Sequence, residues 1–339
     1  MVTVHDIARK AKVSIAAVSL VMNDPQTPRV GPAKRKVITE IARELNYRTN
    51  GIAKALISGK TNIVGLLVPM HDPIFFNHFI AQVLSGLQSV LVAHNYHLMI
   101  YSHRTHSGRV TKDEIAQSRF VDAMVVLNTR VCTAKSQRDT ILDLKNANIP
   151  FVMANAYSGR DEINYVGPDD YHGGLLAGET LALRGHKRIA MISGAKTSPM
   201  SKTLLRGVKA GLAKFGVEFD PELHVFSEYD KEIVLDRMSV WMARKYRPTA
   251  LFCADDQLVP EIYRFLHDRG LRVPDDVAIL GRGNPGLGAA LLPKLTMINV
   301  PAFEIGQQAA ELALKILQTP KMKPQQNILP CNLIEQNSL

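Results

Sequence analysis

The sequence has little of several residue types that would place it in a specialised class of protein. It holds three cysteines among 339 residues, Cys132, Cys253 and Cys331, and they stand far apart. An odd, scattered set excludes a disulfide framework and a cysteine-based zinc site, and it is typical of a reducing cytoplasm. No apolar run is long enough to cross a bilayer, and the N-terminus lacks the charged-then-apolar pattern of a signal peptide.

Motifs typical of enzymes are also missing. The sequence has no P-loop, no nucleophile elbow and no metal-ligand spacing such as HExxH. One GxGxxG match occurs at residues 281–286, after a predicted strand, and would make the chain an oxidoreductase. That fingerprint requires a long helix to begin at its end and face a pyrophosphate, whereas Pro285 and Pro293 bracket too short a stretch. We therefore expect neither an enzyme, nor a cofactor, nor a metal.

Positive charge is concentrated at one end of the chain. Residues 1–60 hold eleven Lys and Arg against four Asp and Glu, a net charge of +7 out of a total of +10. The charge alone is compatible with a solvated basic surface or with phosphate binding. The elements predicted for this segment favour phosphate binding.

Three short helices are predicted within residues 1–46. Thr3 begins the first, which runs to about Lys10, and Ser14 caps a second that reaches about Met22. Pro32 begins the third, whose apolar residues recur at helical spacing. Two helices joined by a short turn and supported by a third form a helix-turn-helix. Residues 47–60 are predicted to be a connector.

From Ile63 onward, apolar runs alternate with amphipathic stretches, which predicts parallel sheets flanked by helices. Ten strands over about 280 residues favour two doubly wound subdomains with a cleft between them. The predicted strands are Ile63–Val68, His97–Tyr101, Ala123–Leu127, Phe151–Ala154, Asn164–Val166, Arg188–Ile192, Leu223–Phe226, Ala250–Cys253, Val277–Leu280 and Thr296–Val300. The predicted helices are Phe75–His94, Tyr171–Arg184, Lys202–Phe215, Glu232–Lys245, Gln257–Asp268 and Ala302–Leu317.

A series of motifs, in order and in register, resembles the lactose/galactose repressor (LacI/GalR) family over essentially the whole chain. The motifs are Thr3-Val4-His5-Asp6-Ile7-Ala8, Val13-Ser14 with Val18-Ser19, Val21 and Asn23, Arg35, Leu45-Asn46-Tyr47, Asn50 with Ala53 and Leu56, Asp72-Pro73 with Phe75-Phe76, Gly185-His186-Lys187-Arg188-Ile189-Ala190, Asp256, and Gly270 with Val273-Pro274 and Asp276-Val277. The resemblance implies a helix-turn-helix domain at 1–46, a hinge helix and linker at 47–60, and a periplasmic-binding-protein-like core at 61–339. Within that core it implies one subdomain of about 61–158 with 290–318 and another of 159–289 with 319–339.

The resemblance also implies a function and partners. We expect a homodimeric cytoplasmic regulator, most often a repressor, that binds palindromic operator DNA on the bacterial nucleoid and responds to a small molecule in the cleft. The sequence ends soon after the last predicted strand with no leucine heptads, so we expect no tetramerising helix. A solute-binding protein of a transport system would share the core fold. It would need an export signal and would lack residues 1–60.

The family positions imply which residues contact DNA. Recognition-helix residues Ile15, Ala16 and Leu20 would face base edges, where apolar side chains can pack on thymine methyl groups. The alternative for Leu20 is that it only packs inside the domain. Leu56 would be a wedge in the minor groove, in a hinge where Thr49 replaces the usual proline and Gly51 weakens the helix. The remaining predicted DNA-binding residues are Thr3, Ser14, Ser19, Asn23, Arg35, Asn50 and Ala53.

The family positions further imply a set of effector-binding residues. They are Phe75, Phe76, Asn155, Lys202, Tyr229, Asp255 and the loop after Leu280. Leu204 and Gly283 stand where sugar-binding members carry an arginine and an aspartate, so an ordinary sugar clamp is missing. Lys202, Asp255 and Arg282 could replace those charges, and we therefore expect an effector with a charged group of its own rather than an unmodified hexose. The alternative is a cleft that has lost its ligand.

Overall fold

The structure is a computed structural model, and it describes residues 2–47, 59–69, 74–103, 120–130, 132–155, 162–283 and 285–339. The chain divides into two compact units, Met1–Asn62 and Ile63–Leu339. None of the helices in these ranges is long and apolar enough to cross a membrane.

The first unit contains the three predicted helices, α1 (Val4–Ala11), α2 (Ile15–Asn23) and α3 (Pro32–Glu44). Hydrogen bonds from the Thr3 backbone N–H (3.0 Å) and the Thr3 hydroxyl (2.8 Å) to the Asp6 carboxylate fix the start of α1. Lys12 then adopts a left-handed conformation, with φ of 53°, which ends α1 and turns the chain. Ser14 begins α2 by accepting a hydrogen bond from the backbone N–H of Ala17 at 3.2 Å.

The three helices share one small core. Ile7, Val18, Val21 and Ile38 are fully buried in it, and Ala42 is almost so. Each helix therefore contributes the apolar face that its sequence spacing predicts.

The second unit contains two six-stranded sheets, each in the strand order of a doubly wound fold. The first sheet has the order β11-β5-β4-β3-β1-β2, with all neighbours parallel. The second has the order β12-β10-β9-β8-β6-β7, and β12 is antiparallel to β10. The strands of the first sheet are β1 (Ile63–Pro69), β2 (His97–His103), β3 (Ala123–Leu127), β4 (Phe151–Ala154), β5 (Tyr165–Pro168) and β11 (Gln326–Leu329). Those of the second are β6 (Ile189–Ser193), β7 (His224–Phe226), β8 (Ala250–Cys253), β9 (Ala278–Gly283), β10 (Thr296–Asn299) and β12 (Asn332–Ile334).

Helices cover both faces of each sheet, which explains why strands such as β3 and β8 are buried along their whole length. The helices are α4 (His78–Ala93), α5 (Ala134–Asn146), α6 (Asp170–Leu183), α7 (Pro199–Ala213), α8 (Lys231–Met242), α9 (Val259–His267), the short α10 (Pro285–Ala289) and α11 (Ala302–Gln318). α4 and α11 share one core with the first sheet, and α5 shares the other. In the second sheet, α6 and α7 cover one face, and α8 and α9 cover the other.

The subdomain boundaries differ from those that the sequence predicts. β5 pairs with β4 and so belongs to the first sheet, although the prediction put residues from 159 onward in the second subdomain. β10 pairs with β9 in the second sheet, and β11 pairs with β5 in the first. The chain therefore crosses between the subdomains three times, after β5, after β10 and after β11. The prediction of residues 290–299 in the first subdomain, and of 165–168 and 326–329 in the second, is wrong.

Candidate DNA-binding surface and ligand cleft

The second helix presents part of its surface to solvent in the way that the sequence predicts. Ile15 is 45% exposed, and Ala16 and Asn23 are exposed, whereas Val18 and Val21 on the opposite face are buried. Ser14 and Thr3 are also exposed, and the half-buried Ser19 accepts a long hydrogen bond of 3.4 Å from the Asn23 amide. The contacts of these side chains with a groove and its flanking phosphates stay a prediction.

Leu20 occupies an intermediate place. It is half-buried and packs against the core of the first unit, next to the buried Val18 and Val21. Leu20 therefore contributes to the packing of the first unit. Its contact with bases stays a prediction.

Arg35 has a defined structural contact. Its guanidinium Nη1 donates to the carbonyl oxygens of Gln26 (2.8 Å) and Thr27 (3.0 Å), in the loop between α2 and α3. This bridge fixes the loop that follows the recognition helix. The other predicted DNA-binding residues, Asn50, Ala53 and Leu56, lie outside the described residues.

A cleft lies within the second unit at the carboxyl ends of strands from both sheets, where parallel sheets bind ligands. Its cavity is about 140 Å³. The first sheet and its helices contribute Asn77, Phe79, Ile80, Gln82, Asn128, Thr129, Arg130 and Asn155. The second sheet side contributes Met200, Tyr229, Ala254, Asp255, Asp256, Gln257, Arg282 and Gly283, together with Val300 after β10.

Three of the predicted effector-binding residues, Asn155, Tyr229 and Asp255, line this cleft. Phe75 and Phe76 do not, and their side chains are 68% and 83% exposed. They belong to a 3₁₀ turn that precedes α4. The Asn77 side chain accepts a hydrogen bond from the backbone N–H of Ile80 and so caps α4, which therefore begins after Asn77 and not at Phe75 as predicted. The placement of these two phenylalanines at the cleft is not supported by the structure.

Lys202 also lies away from the cleft. It is exposed on α7, whose inward face carries Ser201, Leu204 and Val208. Since one residue along a helix turns the side chain by about 100°, the neighbour of buried Ser201 points to another side. Met200, two residues earlier, is the α7 residue that lines the cleft.

The sequence reasoning predicted Asn155 but missed its partner Asn128 and the nearby Arg130, at the ends of the central strands of the first sheet. The Asn128 amide donates to the backbone oxygen of Asn155, and the Asn155 amide donates to that of Asn128, both at 2.9 Å. Arg130 follows two residues later, and its guanidinium carbon lies 5.3 Å from the centre of the Tyr229 ring. The signal was available, because Asn128 directly follows a fully apolar predicted strand.

Arg282 forms a buried ion pair at the base of the cleft. Its Nη2 donates to the Asp170 carboxylate at 2.5 Å, and both side chains are over 90% buried. Its Nη1 lies 3.4 Å from the sulfur of Met200, and its Nε has no acceptor among the described residues. Burial raises the pKa of Asp170 to about 6, with Arg282 opposing the shift and Asp169 adding to it.

Two adjacent carboxylates and a strained tyrosine complete the site. Burial, followed by the nearby Asp256, raises the pKa of Asp255 to about 6. Burial and the charge of Asp255 raise the pKa of Tyr229 to about 12, so its hydroxyl is neutral. Tyr229 adopts a left-handed φ of 62°, which is costly for an aromatic residue and typical of functional sites. Gly283 leaves room for Asp256, since a Cβ there would overlap that carboxylate.

The site is equipped to bind a small polar molecule. It offers amides, a phenol, guanidinium groups and carboxylates around a cavity shared by two subdomains. The described residues contain no group of three His, Cys, Asp or Glu side chains that could hold a metal ion. Gly281 and Gly283 lie inside β9, and the following helix α10 has five residues, so the GxGxxG match is not a strand-to-helix phosphate loop.

A helix-turn-helix unit and a two-lobed core with a polar cleft, in one chain, define a ligand-responsive DNA-binding regulator. Comparison with family models agrees. Residues 3–50 match bacterial regulatory proteins of the lacI family, and residues 179–339 match a periplasmic binding protein-like domain. The chain therefore carries a lacI-family DNA-binding domain and a periplasmic binding protein-like domain, and it is a transcriptional regulator.

Curated relatives align along nearly the full length. The catabolite control protein A of Priestia megaterium is 28% identical over 318 residues, covering 93% of this chain and 92% of the relative. The transcriptional repressor PurR of Aliivibrio fischeri is 29% identical over 323 residues, covering 93% and 91%. The ribose operon repressor of Escherichia coli K12 is 25% identical over 339 residues, covering both chains completely.

Solved structures share the fold. The lac repressor dimer bound to operator and the anti-inducer ONPF has a TM-score of 0.85 at 21% identity, covering 99% of this chain and 98% of its own. A complex of the transcriptional regulator CelR with cellobiose has a TM-score of 0.74 at 24% identity and covers both chains completely. The order of strands in both sheets is thus that of an established architecture.

Proposed function

We propose that the chain is a repressor that binds an operator through its first unit. Its affinity for the operator depends on the ligand bound in its cleft. The observation that carries this proposal is the exposed face of α2, with Ile15, Ala16 and Asn23, on a stable three-helix core. The ligand acts through the cleft because it contacts both subdomains at once and stabilises one arrangement of them.

The test is selection of bound duplexes from a random library with the full-length chain, followed by titration of the recovered site. We expect an inverted repeat bound with nanomolar affinity or better, and weaker binding to scrambled DNA by roughly 10³-fold or more. Ile15→Glu should abolish this preference. Recovery of no shared sequence would contradict the proposed function.

A homodimer is part of the proposal. An apolar groove lines the edge strand β2 and the neighbouring surface of α4, including Phe75, Val92 and Ile100, which are 68%, 63% and 37% exposed. Among the described residues β2 is the last strand of its sheet. Exposed apolar side chains beside such an edge are costly in water, and a second copy would cover them. A lac repressor of the same fold is described as a dimer. Val92→Asp should shift the sedimentation of the chain towards a monomer and weaken operator binding with it.

The effector is proposed to carry a charged group. Two of the three charges predicted to receive it, Asp255 and Arg282, line the cleft, and Arg130 takes the place of Lys202. Relatives of this fold have been solved with cellobiose and with ribose, so neutral sugars are the second candidate. Stronger thermal stabilisation by a plain hexose than by any charged analogue would favour them.

Several proposals follow from the resemblance to the family. We propose that the chain acts on the nucleoid in the cytoplasm, because its regulation would require bound DNA. The relatives are named as regulators, and we propose no catalytic activity and no cofactor. A hinge formed by residues 47–60 would insert Leu56 into the minor groove. Leu56→Ala should then weaken binding to the operator more than binding to scrambled DNA.

A further inference from the structure

Another cavity, of about 220 Å³, lies in the second unit beside the crossovers between its subdomains. Strands β5 and β11 of the first sheet form one part of its lining, and the starts of α6 and α7 in the second subdomain form another. The crossover after β5, at Pro168 and Asp169, completes it. A molecule bound in this crossover cavity would contact both subdomains where the chain passes between them, and so would stabilise one arrangement of them.

One layer of side chains separates the crossover cavity from the ligand cleft. Met200 lines both cavities. Asp170 lines the crossover cavity, and its carboxylate accepts a hydrogen bond from Nη2 of Arg282, which lines the cleft. Nη1 of the same arginine lies 3.4 Å from the Met200 sulfur. A molecule that displaces Asp170 or Met200 therefore changes the wall of the cleft as well.

Two carboxylates give the crossover cavity hydrogen-bond acceptors. Asp170 is almost buried, and apart from Arg282 no described residue donates a hydrogen bond to its side chain. Asp169 uses one carboxylate oxygen to cap α6, by accepting the backbone N–H of His172 at 2.8 Å. Each carboxylate keeps an oxygen for another donor, since an ionised carboxylate offers two oxygens and about four lone pairs. A ligand should therefore bring hydrogen-bond donors, and an anionic group would be repelled by both aspartates.

The other walls of the crossover cavity are largely apolar. Pro168 and Pro199 contribute flat rings to them. Tyr171 and Ile328 line the same space, and their side chains are 42% and 59% exposed. Ligand sites typically combine such walls with a few polar groups. The volume is that of about seven water molecules at roughly 30 Å³ each, which one substituted ring would fill.

We infer that the crossover cavity is a second small-molecule site, which takes a ring-shaped molecule with hydroxyl or amine donors and alters operator affinity when it is occupied. The effect on the operator would pass through the wall that this cavity shares with the cleft. The inference goes beyond the proposed function, because the site lies outside the cleft and takes a ligand of its own.

The experiment fills the crossover cavity from an introduced cysteine of the full-length chain. Cys132, Cys253 and Cys331 are buried, whereas Thr203 is half-buried in the cavity lining. Thr203→Cys should therefore react alone with methanethiosulfonate reagents, and mass spectrometry checks that one label is attached. Four labels of similar length are compared. Hydroxyethyl and aminoethyl labels carry donors, a propyl label carries none, and a sulfonatoethyl label is anionic.

Melting temperature and operator affinity are measured for each label. We expect at least one donor label to raise the melting temperature above that of the propyl label by roughly 2 °C or more, and the sulfonatoethyl label to lower it. Operator affinity should differ by roughly fivefold or more between that donor label and the propyl label. The better donor label identifies the ligand group as a hydroxyl or an amine. Lys202→Cys, at an exposed position outside both cavities, should show neither effect.

Ile328→Cys provides a second attachment point, on β11 in the first subdomain. The same labels should give the same order of melting temperatures there. All comparisons are between labels on one variant, so a general loss of stability does not change the order. The inference is overturned if both donor labels match the propyl label in melting temperature or in operator affinity, or if Lys202→Cys responds equally. Operator binding by the unlabelled chain still tests the proposed function separately.

Discussion

At the scale of single residues, Arg35 shows how one side chain can hold a DNA-binding unit together. Its two bonds to the carbonyls of Gln26 and Thr27 fix the loop after the recognition helix. Arg35→Ala should lower the free energy of unfolding of the first unit by about 1–3 kcal/mol, because those carbonyls lose a charged donor. Thermal unfolding followed by circular dichroism measures it.

Lys36→Ala is the matched control for Arg35, since it removes an equal charge from an exposed position of the same helix. Arg35→Lys is informative as well, because lysine keeps the charge but lacks the planar fork that reaches two acceptors. Equal melting temperatures for Arg35→Ala and Lys36→Ala would contradict this structural role of Arg35.

Asp255 gives the cleft a pH dependence. The groups facing it are Asp256, Arg130, Arg282, the Tyr229 hydroxyl and the Cys253 thiol, and burial keeps the last two protonated by raising their pKa values. With a pKa of about 6, Asp255 is ionised above that pH and protonated below it. The burial that raises this pKa favours the neutral carboxyl in the folded state, so the free energy of unfolding should fall as the pH rises from about 4 to about 6. Chemical denaturation across this range tests the slope, and Asp255→Asn should reduce it, leaving the part that comes from Asp170.

Sequence reasoning located part of the cleft for a physical reason that applies residue by residue. Asn155 and Asp255 follow buried strands closely, and such positions meet at one edge of a sheet whatever the details of the loops. Lys202 and Phe75 depend instead on where a helix begins and how it is rotated. One capping side chain, Asn77, decides that for α4, and the apolar pattern alone does not show it.

At the scale of elements, the closest helix pair of the first subdomain is held by two reciprocal glycines. A Cβ on Gly86 of α4 would lie 2.0 Å from the Phe303 carbonyl oxygen, and a Cβ on Gly306 of α11 would lie 2.1 Å from that of Val83. The backbones of these helices therefore touch. Gly86→Ala should destabilise the core by about 1–3 kcal/mol, because the helices must separate.

Ser85→Ala is the control for Gly86→Ala, since it places the same residue, alanine, at an exposed position of the same helix. Alanine favours a helix over glycine by about 1 kcal/mol. Destabilisation by Gly86→Ala would therefore have to overcome a local gain. A stabilised variant in chemical denaturation would contradict the backbone contact.

Elements escaped sequence prediction where polar residues form the buried face. α5 (Ala134–Asn146) buries Ser136, Gln137, Thr140 and Asp143 beside Ile141 and Leu144, so its apolar period is broken. β11 begins with Gln326 and Asn327 and exposes Ile328, which is the reverse of a buried strand. Because β11 and β12 were missed, the crossovers between subdomains were misplaced. By contrast, the three helices of the first unit were predicted from their caps and apolar spacing.

At the scale of the whole molecule, charge is divided according to task. The first 60 residues carry +7, while the other 279 carry only +3. DNA affinity should therefore depend on the first unit and fall steeply with salt, with a log–log slope of about −0.9 for each phosphate neutralised. For a dimer, affinity should drop by roughly 10³-fold or more between about 50 and 200 mM salt.

Two lysines separate the contributions of the units to this salt dependence. Lys12 lies in the turn directly before α2, so Lys12→Ala should reduce the magnitude of the slope by about 1 for each protomer. Lys321 is exposed on the surface of the second unit, and Lys321→Ala should leave the slope unchanged. Fluorescence anisotropy at several salt concentrations, with protein kept above the dimer dissociation constant, measures both. Equal effects of the two substitutions would mean that the chain binds DNA through its overall charge. A helix-turn-helix placed in the groove would then be contradicted, because such a unit concentrates its phosphate contacts beside the recognition helix.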